Sequence, residues 1–132
     1  MKQKTDNPQE QFAEPVALTS VGNENYAFAN LSASLAEIRK LKGVVGYILR
    51  SDTSAIIDLN EQDKIIDYAV LSSQMHESSL EVAKQFNLGD TESVLVEGKN
   101  IKVLCMSMGE NRVSVFMEKS ATHAWIIKRI LL

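Results

Sequence analysis

Few side chains in this sequence combine a reactive type with a useful spacing. Cys105 is the one cysteine. A catalytic cysteine needs a thiolate held near a base. Cys105 instead stands mid-run among Val103, Leu104 and Met106, the setting of a buried, inert thiol. His76 and His123 lie far apart, with no Cys-x-x-Cys or His-x-x-x-His spacing, so no metal set assembles around them. Each reads as a solvated or boundary histidine. Glu77 follows His76 directly, but adjacent helical residues diverge by ~100° and do not face each other. No Gly-x-x-x-x-Gly-Lys-Ser/Thr occurs, which excludes a P-loop. Gly43-Val44-Val45-Gly46 has the spacing of a single-stranded nucleic-acid clamp. It falls between a helix and a strand rather than between two helices, so it reads as a helix stop and a strand start. Arg50 and Arg112 are exposed candidates for an arginine inserted into another protein's active site, although ordinary surface solubility explains both. The expectation is a chain that is no enzyme and has no catalytic residue, cofactor or metal.

The bulk properties agree with a protein-binding role. At 132 residues the chain suits one domain, and 45% hydrophobic with 23% charged residues is the balance of a folded protein. A net charge of −3 argues against a bare phosphate backbone as ligand, so no nucleic acid is expected. No apolar run approaches the ~18 residues of a membrane span, and Met1–Phe12 lacks the apolar core of a secretory signal. With one cysteine and no internal disulfide, a cytoplasmic location is expected.

The elements that must position these residues begin near Asn30. Residues 1–29, rich in Asn, Gln and Glu and carrying Pro8 and Pro15, hold no helical or strand period. They read as a flexible arm, or as a strap that docks through Tyr26 and Phe28. From 30 to 132 the pattern is that of a folded domain. Leu31, Leu35, Ile38 and Leu41 make one helical face, with Gly43 as its stop. Two short β-rich runs follow, Val44–Leu49 and Ala55–Leu59, joined too closely to be anything but antiparallel. A long helix is expected from about Glu61 to Phe86, ended by Asn87-Leu88-Gly89. Three strands (Ser93–Glu97, Ile101–Met108, Arg112–Lys119) with Gly/Asn connectors come next, then a helix from about Thr122 whose Trp125 packs inward. The strand Ile101–Met108 is apolar on both parities, so its sheet must be covered on both faces. Met106, Met108 and Met117 fill that core. The expected fold class is α+β: a three-layer α/β/α arrangement of a five-stranded antiparallel sheet. The long middle helix takes one face and the first and last helices the other.

The middle helix carries too much apolar surface for one sheet. Ile65, Ile66, Ala69, Val70, Leu80 and Ala83 form one stripe, and Tyr68, Leu71, Met75, Val82 and Phe86 a second. Together they span roughly 220° where ~100° suffices for a helix lying on a sheet. Ser72, Ser73, Ser78 and Ser79 let another backbone come close. Either the helix is sunk in a groove of its own domain, or it meets a partner. The simplest partner is the same helix of an identical chain across a two-fold axis.

Leu41-Lys42-Gly43-Val44-Val45-Gly46, after an amphipathic helix and before a strand, resembles the "I-x-G-V-x-G" stretch that precedes the first strand in the Roadblock/dynein light-chain family. The likeness continues through Phe86-Asn87-Leu88-Gly89 and Val94-Leu95-Val96-Glu97-Gly98, with elements in the family's order. One departure is Asp52-Thr53-Ser54 in the first hairpin, where members often carry Asp-Gly, which implies another turn type. The resemblance implies a non-catalytic homodimeric scaffold or regulator of a Ras-like small GTPase, in some members one that stimulates GTP hydrolysis. It also implies third strands paired into a ten-stranded sheet with the long helices side by side, or pairing with a related Roadblock chain. On that basis Tyr68, Leu71, Met75, Val82, Val94 and Val96 are the expected dimer contacts. Asp67, Gln74, Glu77 and Glu81, on the exposed ridge, are the expected partner-binding residues. The alternative is a small-molecule-sensing domain with a ligand between sheet and helix, against which stands the lack of clustered polar residues for such a pocket.

Overall fold

The computed structural model describes residues 23–90 and 92–131. Its elements run α1 (Asn23–Ile38), β1 (Val44–Arg50), β2 (Ala55–Leu59), a 3-10 turn (Gln62–Lys64), α2 (Ile65–Gln85), β3 (Ser93–Glu97), β4 (Ile101–Met108), β5 (Asn111–Glu118) and α3 (His123–Leu131). The sheet is five-stranded and antiparallel in the order β2-β1-β5-β4-β3, so β2 and β3 are its edges. The expected α+β order of helices and strands is the observed one.

Two helix starts differ from the sequence reading, and the ends of β1, α2 and β5 shift by one residue. α1 starts at Asn23, inside the segment expected to be an arm. Ala27 and Ala29 sustain the helix by propensity, and the apolar period is missing there because Tyr26 and Ala27 are exposed. The rest of the expected arm, residues 1–22, lies outside the described residues. The stretch before Ile65 is a 3-10 turn rather than a first turn of α2, and no side chain caps the helix start.

The turns follow local chemistry. In the β1–β2 hairpin Ser51 replaces the missing glycine: its Oγ accepts the N–H groups of Thr53 (3.3 Å) and Ser54 (3.1 Å). α2 closes with Asn87 at φ 60°, and the Leu88 N–H reaches back to the Ala83 carbonyl at 2.9 Å. Gly46 is a contact requirement, because a Cβ there would lie 2.4 Å from the Asp58 carbonyl oxygen.

Strand parity assigns the two faces. Ile48, Val103, Cys105 and Phe116 point to α2 and pack with Met75, Ile65, Tyr68, Ala69 and Leu71. The other parity (Tyr47, Leu49, Leu104, Met106, Val113, Val115, Met117) is buried on the opposite side, where Leu35, Ile38, Ile126 and Ile130 supply the helical cover. Arg39, just beyond α1, fastens that side. Its guanidinium donates to the Val44 carbonyl (3.1 Å), to Asp58 (3.3 Å) and to the Asn60 side-chain oxygen. Asp58 in turn raises the Tyr47 pKa, second to burial itself.

Candidate functional site

α2 presents three strips. Its inner strip holds Ser72, Met75, His76 and Ala83, all buried. Tyr68 belongs with them, its ring stacked on Phe116 at 4.6 Å between centroids and 8° between planes. One flank faces the edge strand β3. There Leu71, Gln74, Met75, Ser78, Ser79, Val82, Val94 and Val96 line an open groove of about 530 Å³. Five of the six residues expected at a dimer contact thus share one groove, whereas Tyr68 is engaged inside the domain. Met75 forms the groove's floor, its Sδ 3.7 Å from the Cys105 Sγ. Val82 is 50% exposed, and Val96 stands open on β3. The other flank also remains uncovered: Ile66 is 76% exposed and Val70 51%. The helix is therefore not sunk in a groove of its own domain. Asp67, Glu77 and Glu81 stand exposed on the outer ridge, with Gln74 between the ridge and the groove.

The space between α2 and the sheet is filled by this chain's own side chains. Ser114, 1% exposed, lies at the centre, bonded to Ser72 Oγ and contacting Cys105 Sγ at 3.2 Å and His76 Nε2 at 3.5 Å. Cys105 is buried as expected, and burial, the largest influence, raises its pKa. A thiol held protonated in this way is a poor nucleophile. His76 overturns the sequence reading, because it is 3% exposed rather than solvated or at a boundary. Burial above all, then the charges of Arg112 and Arg50, lowers its pKa to about 4, so it is neutral at pH 7. The signal was present in its wheel position, one turn after Ser72 and in line with Ile65 and Ala83. His123 is half-buried, with Nδ1 3.1 Å from Lys102 Nζ.

Other expectations need correction. Arg50 and Arg112 are half-buried, not exposed, because strand parity turns both toward α2. Trp125 is 49% exposed rather than packed inward: Ile126 and Ile130 take α3's inner side, and Arg129 lies over the indole ring at 5.3 Å. Among the described residues no cluster of His, Cys, Asp or Glu could hold a metal ion. No described helix is long and apolar enough to cross a membrane.

No protein-family model matches the sequence, and no curated protein matches it. Solved structures do. A Roadblock/LC7 domain from Streptomyces avermitilis aligns with a TM-score of 0.61 at 15% identity, over 80% of this chain and 87% of that one. Myxococcus xanthus MglB aligns with a TM-score of 0.64 at 15% identity, over 78% and 87%. The gliding protein MglB from Thermus thermophilus gives 0.61 at 14% identity, over 89% of both chains. The chain has the Roadblock fold. In this fold the long-helix groove and the β3 edge lie side by side.

Proposed function

We propose that the protein is a non-catalytic, homodimeric Roadblock-type scaffold or regulator that binds a Ras-like small GTPase in the cytoplasm. The observation that carries this reading is the apolar surface of α2 and β3 that the domain leaves open: Leu71 and Val82 of α2 with Val94 and Val96 of β3 around the groove, and Ile66 and Val70 of α2 beyond it. Exposed apolar area of this kind beside an unpaired strand edge favours a second copy, since pairing buries the groove and completes the backbone hydrogen bonds of β3 together. Tyr68 serves the contact indirectly, by holding α2 to Phe116. The paired helices then offer a broad ridge to the GTPase, with Asp67, Gln74, Glu77 and Glu81 as contact residues. A ligand-sensing role has less support, because Ser72, His76, Cys105 and Ser114 already occupy the layer where a ligand would sit.

Light scattering tests the first half of this reading. The wild type is expected at twice 14.7 kDa at micromolar concentration. Val82→Glu combined with Val96→Glu is expected to give a monomer with an unchanged far-UV spectrum, both positions being exposed within one chain. A monomeric wild type overturns the dimer. The second half is tested by titrating GTP- and GDP-loaded Ras-like GTPases against the wild type and against Glu77→Lys/Glu81→Lys. Equal binding by both forms would remove the ridge from the contact.

A further inference from the structure

A third cluster, at the far end of the face beneath α2, belongs neither to the groove nor to the ridge. Arg50 and Arg112 are directly opposite across β1 and β5, and Ser107 is opposite Arg112 across β4. The three form one row on one face of the sheet, continuing the parity of Ile48, Ser114 and Cys105. Directly paired residues of an antiparallel ladder have Cβ atoms roughly 4.5–5.5 Å apart, so the two guanidiniums stem from adjacent points. Both charges lie close enough to act on the same His76 ring, which places the two side chains in one neighbourhood beneath α2.

Like charges placed opposite each other weaken a strand pair, and a half-buried guanidinium has five N–H donors to satisfy. Among the described residues neither arginine meets that demand. The ion pairs between described residues are Arg39–Asp58, Lys40–Glu37 and Lys64–Glu61. No side-chain hydrogen bond from Arg50 or Arg112 to a described residue is present, in contrast to Arg39, each of whose three guanidinium nitrogens donates one. Two guanidiniums and a serine hydroxyl in one register row supply many donors and a formal charge of +2, since His76 nearby is neutral. A carboxylate would leave one positive charge uncompensated, whereas a phosphoryl group, close to −2 at pH 7 with three acceptor oxygens, balances it.

We propose that Arg50, Arg112 and Ser107 form a binding site for a phosphoryl group, with the two guanidiniums as the charged clamp and the Ser107 hydroxyl as a third donor. The site stands apart from the α2–β3 groove, and its function does not depend on dimer formation.

Side-chain Nε–Hε NMR signals of the full chain, followed while inorganic phosphate, O-phosphoserine or a phosphoserine peptide is added, test it directly. Sodium chloride at matched ionic strength and sodium acetate are the comparison arms. Saturable shifts of the Arg50 and Arg112 signals with the phosphoryl ligands, and at least about tenfold weaker binding of acetate, are expected. Arg50→Gln and Arg112→Gln are each expected to weaken phosphoryl binding about tenfold or more, and Ser107→Ala by less. Should a glutamine variant unfold, Arg50→Lys and Arg112→Lys, which keep the charge and lose the fork, carry the test. Binding by a lysine variant as tight as that of the wild type overturns the clamp. Tighter binding of the phosphopeptide than of inorganic phosphate identifies a phosphorylated protein segment as ligand, and equal binding identifies free phosphate. Shifts that chloride reproduces at the same ionic strength, or that acetate matches, overturn the proposal.

Discussion

The two faces of the sheet are built on different principles. The face under α1 and α3 is aliphatic and closed, with Leu35, Ile38, Leu49, Val113, Val115 and Met117 without measurable exposure. Its buried polar side chains sit at strand starts: Lys102, in contact with His123, is the second residue of β4, and Asn111 is the first of β5. The face under α2 has a polar centre at Ser114 and apolar margins that stay open. Apolar packing is strong and non-directional, whereas a hydrogen-bonded cluster adds less energy but fixes one arrangement. The closed face therefore supplies most of the stability. The polar centre sets where α2 lies along the strands, and so which of its residues reach the groove.

The sharpest way to break this contrast is Leu35→Ala, which opens a cavity in the closed face. A loss of about 2–5 kcal/mol in denaturant unfolding is expected. Next comes pH. The His76 pKa is lowered in the folded protein to about 4 from 6.5, so the unfolded chain binds the proton first as pH falls. The contribution of neutral His76 is complete above pH 6.5 and is lost as pH falls from 6.5 to 4, to a limit of about 3 kcal/mol. Unfolding midpoints measured across that window should decline in the wild type and flatten in His76→Gln. Ser114→Ala strands Ser72 and His76 without their shared partner, at an expected cost of about 1–3 kcal/mol. The same change should broaden the NMR signals of α2 more than those of α3. The smallest effect belongs to the exposed side of α3: Trp125→Ala removes a half-exposed ring and its Arg129 contact, and about 0.5–1 kcal/mol is expected. If Trp125→Ala cost as much as Leu35→Ala, the closed face would extend farther than its buried residues indicate.

The sheet was legible because each strand is written twice, once in alternation and once in its turn. Ala55–Leu59, Ser93–Glu97 and Ile101–Met108 begin and end where the apolar runs and the polar turn residues between them place them. The excess apolar girth of α2 was legible too, and Ile66, Val70 and Val82 are indeed uncovered. What composition hid was depth. A histidine, a serine or an arginine has no fixed burial preference, so its setting comes from the parity or wheel position of its neighbours. Those placed His76 inside, turned Arg50 and Arg112 beneath α2, and left Trp125 outside. The early start of α1 was invisible for a related reason: Asn23–Asn30 is helical without an apolar stripe, and periodicity reports only helices that have one.

Cys105 is the sequence's single thiol, and it is 1% exposed. A thiol-specific reagent should consequently ignore the native molecule and label each copy only when α2 lifts from the sheet or the whole chain opens. The rate of labelling then counts those openings without any engineered reporter, so that binding of a second copy or of another protein over the long helix can be read as slower modification.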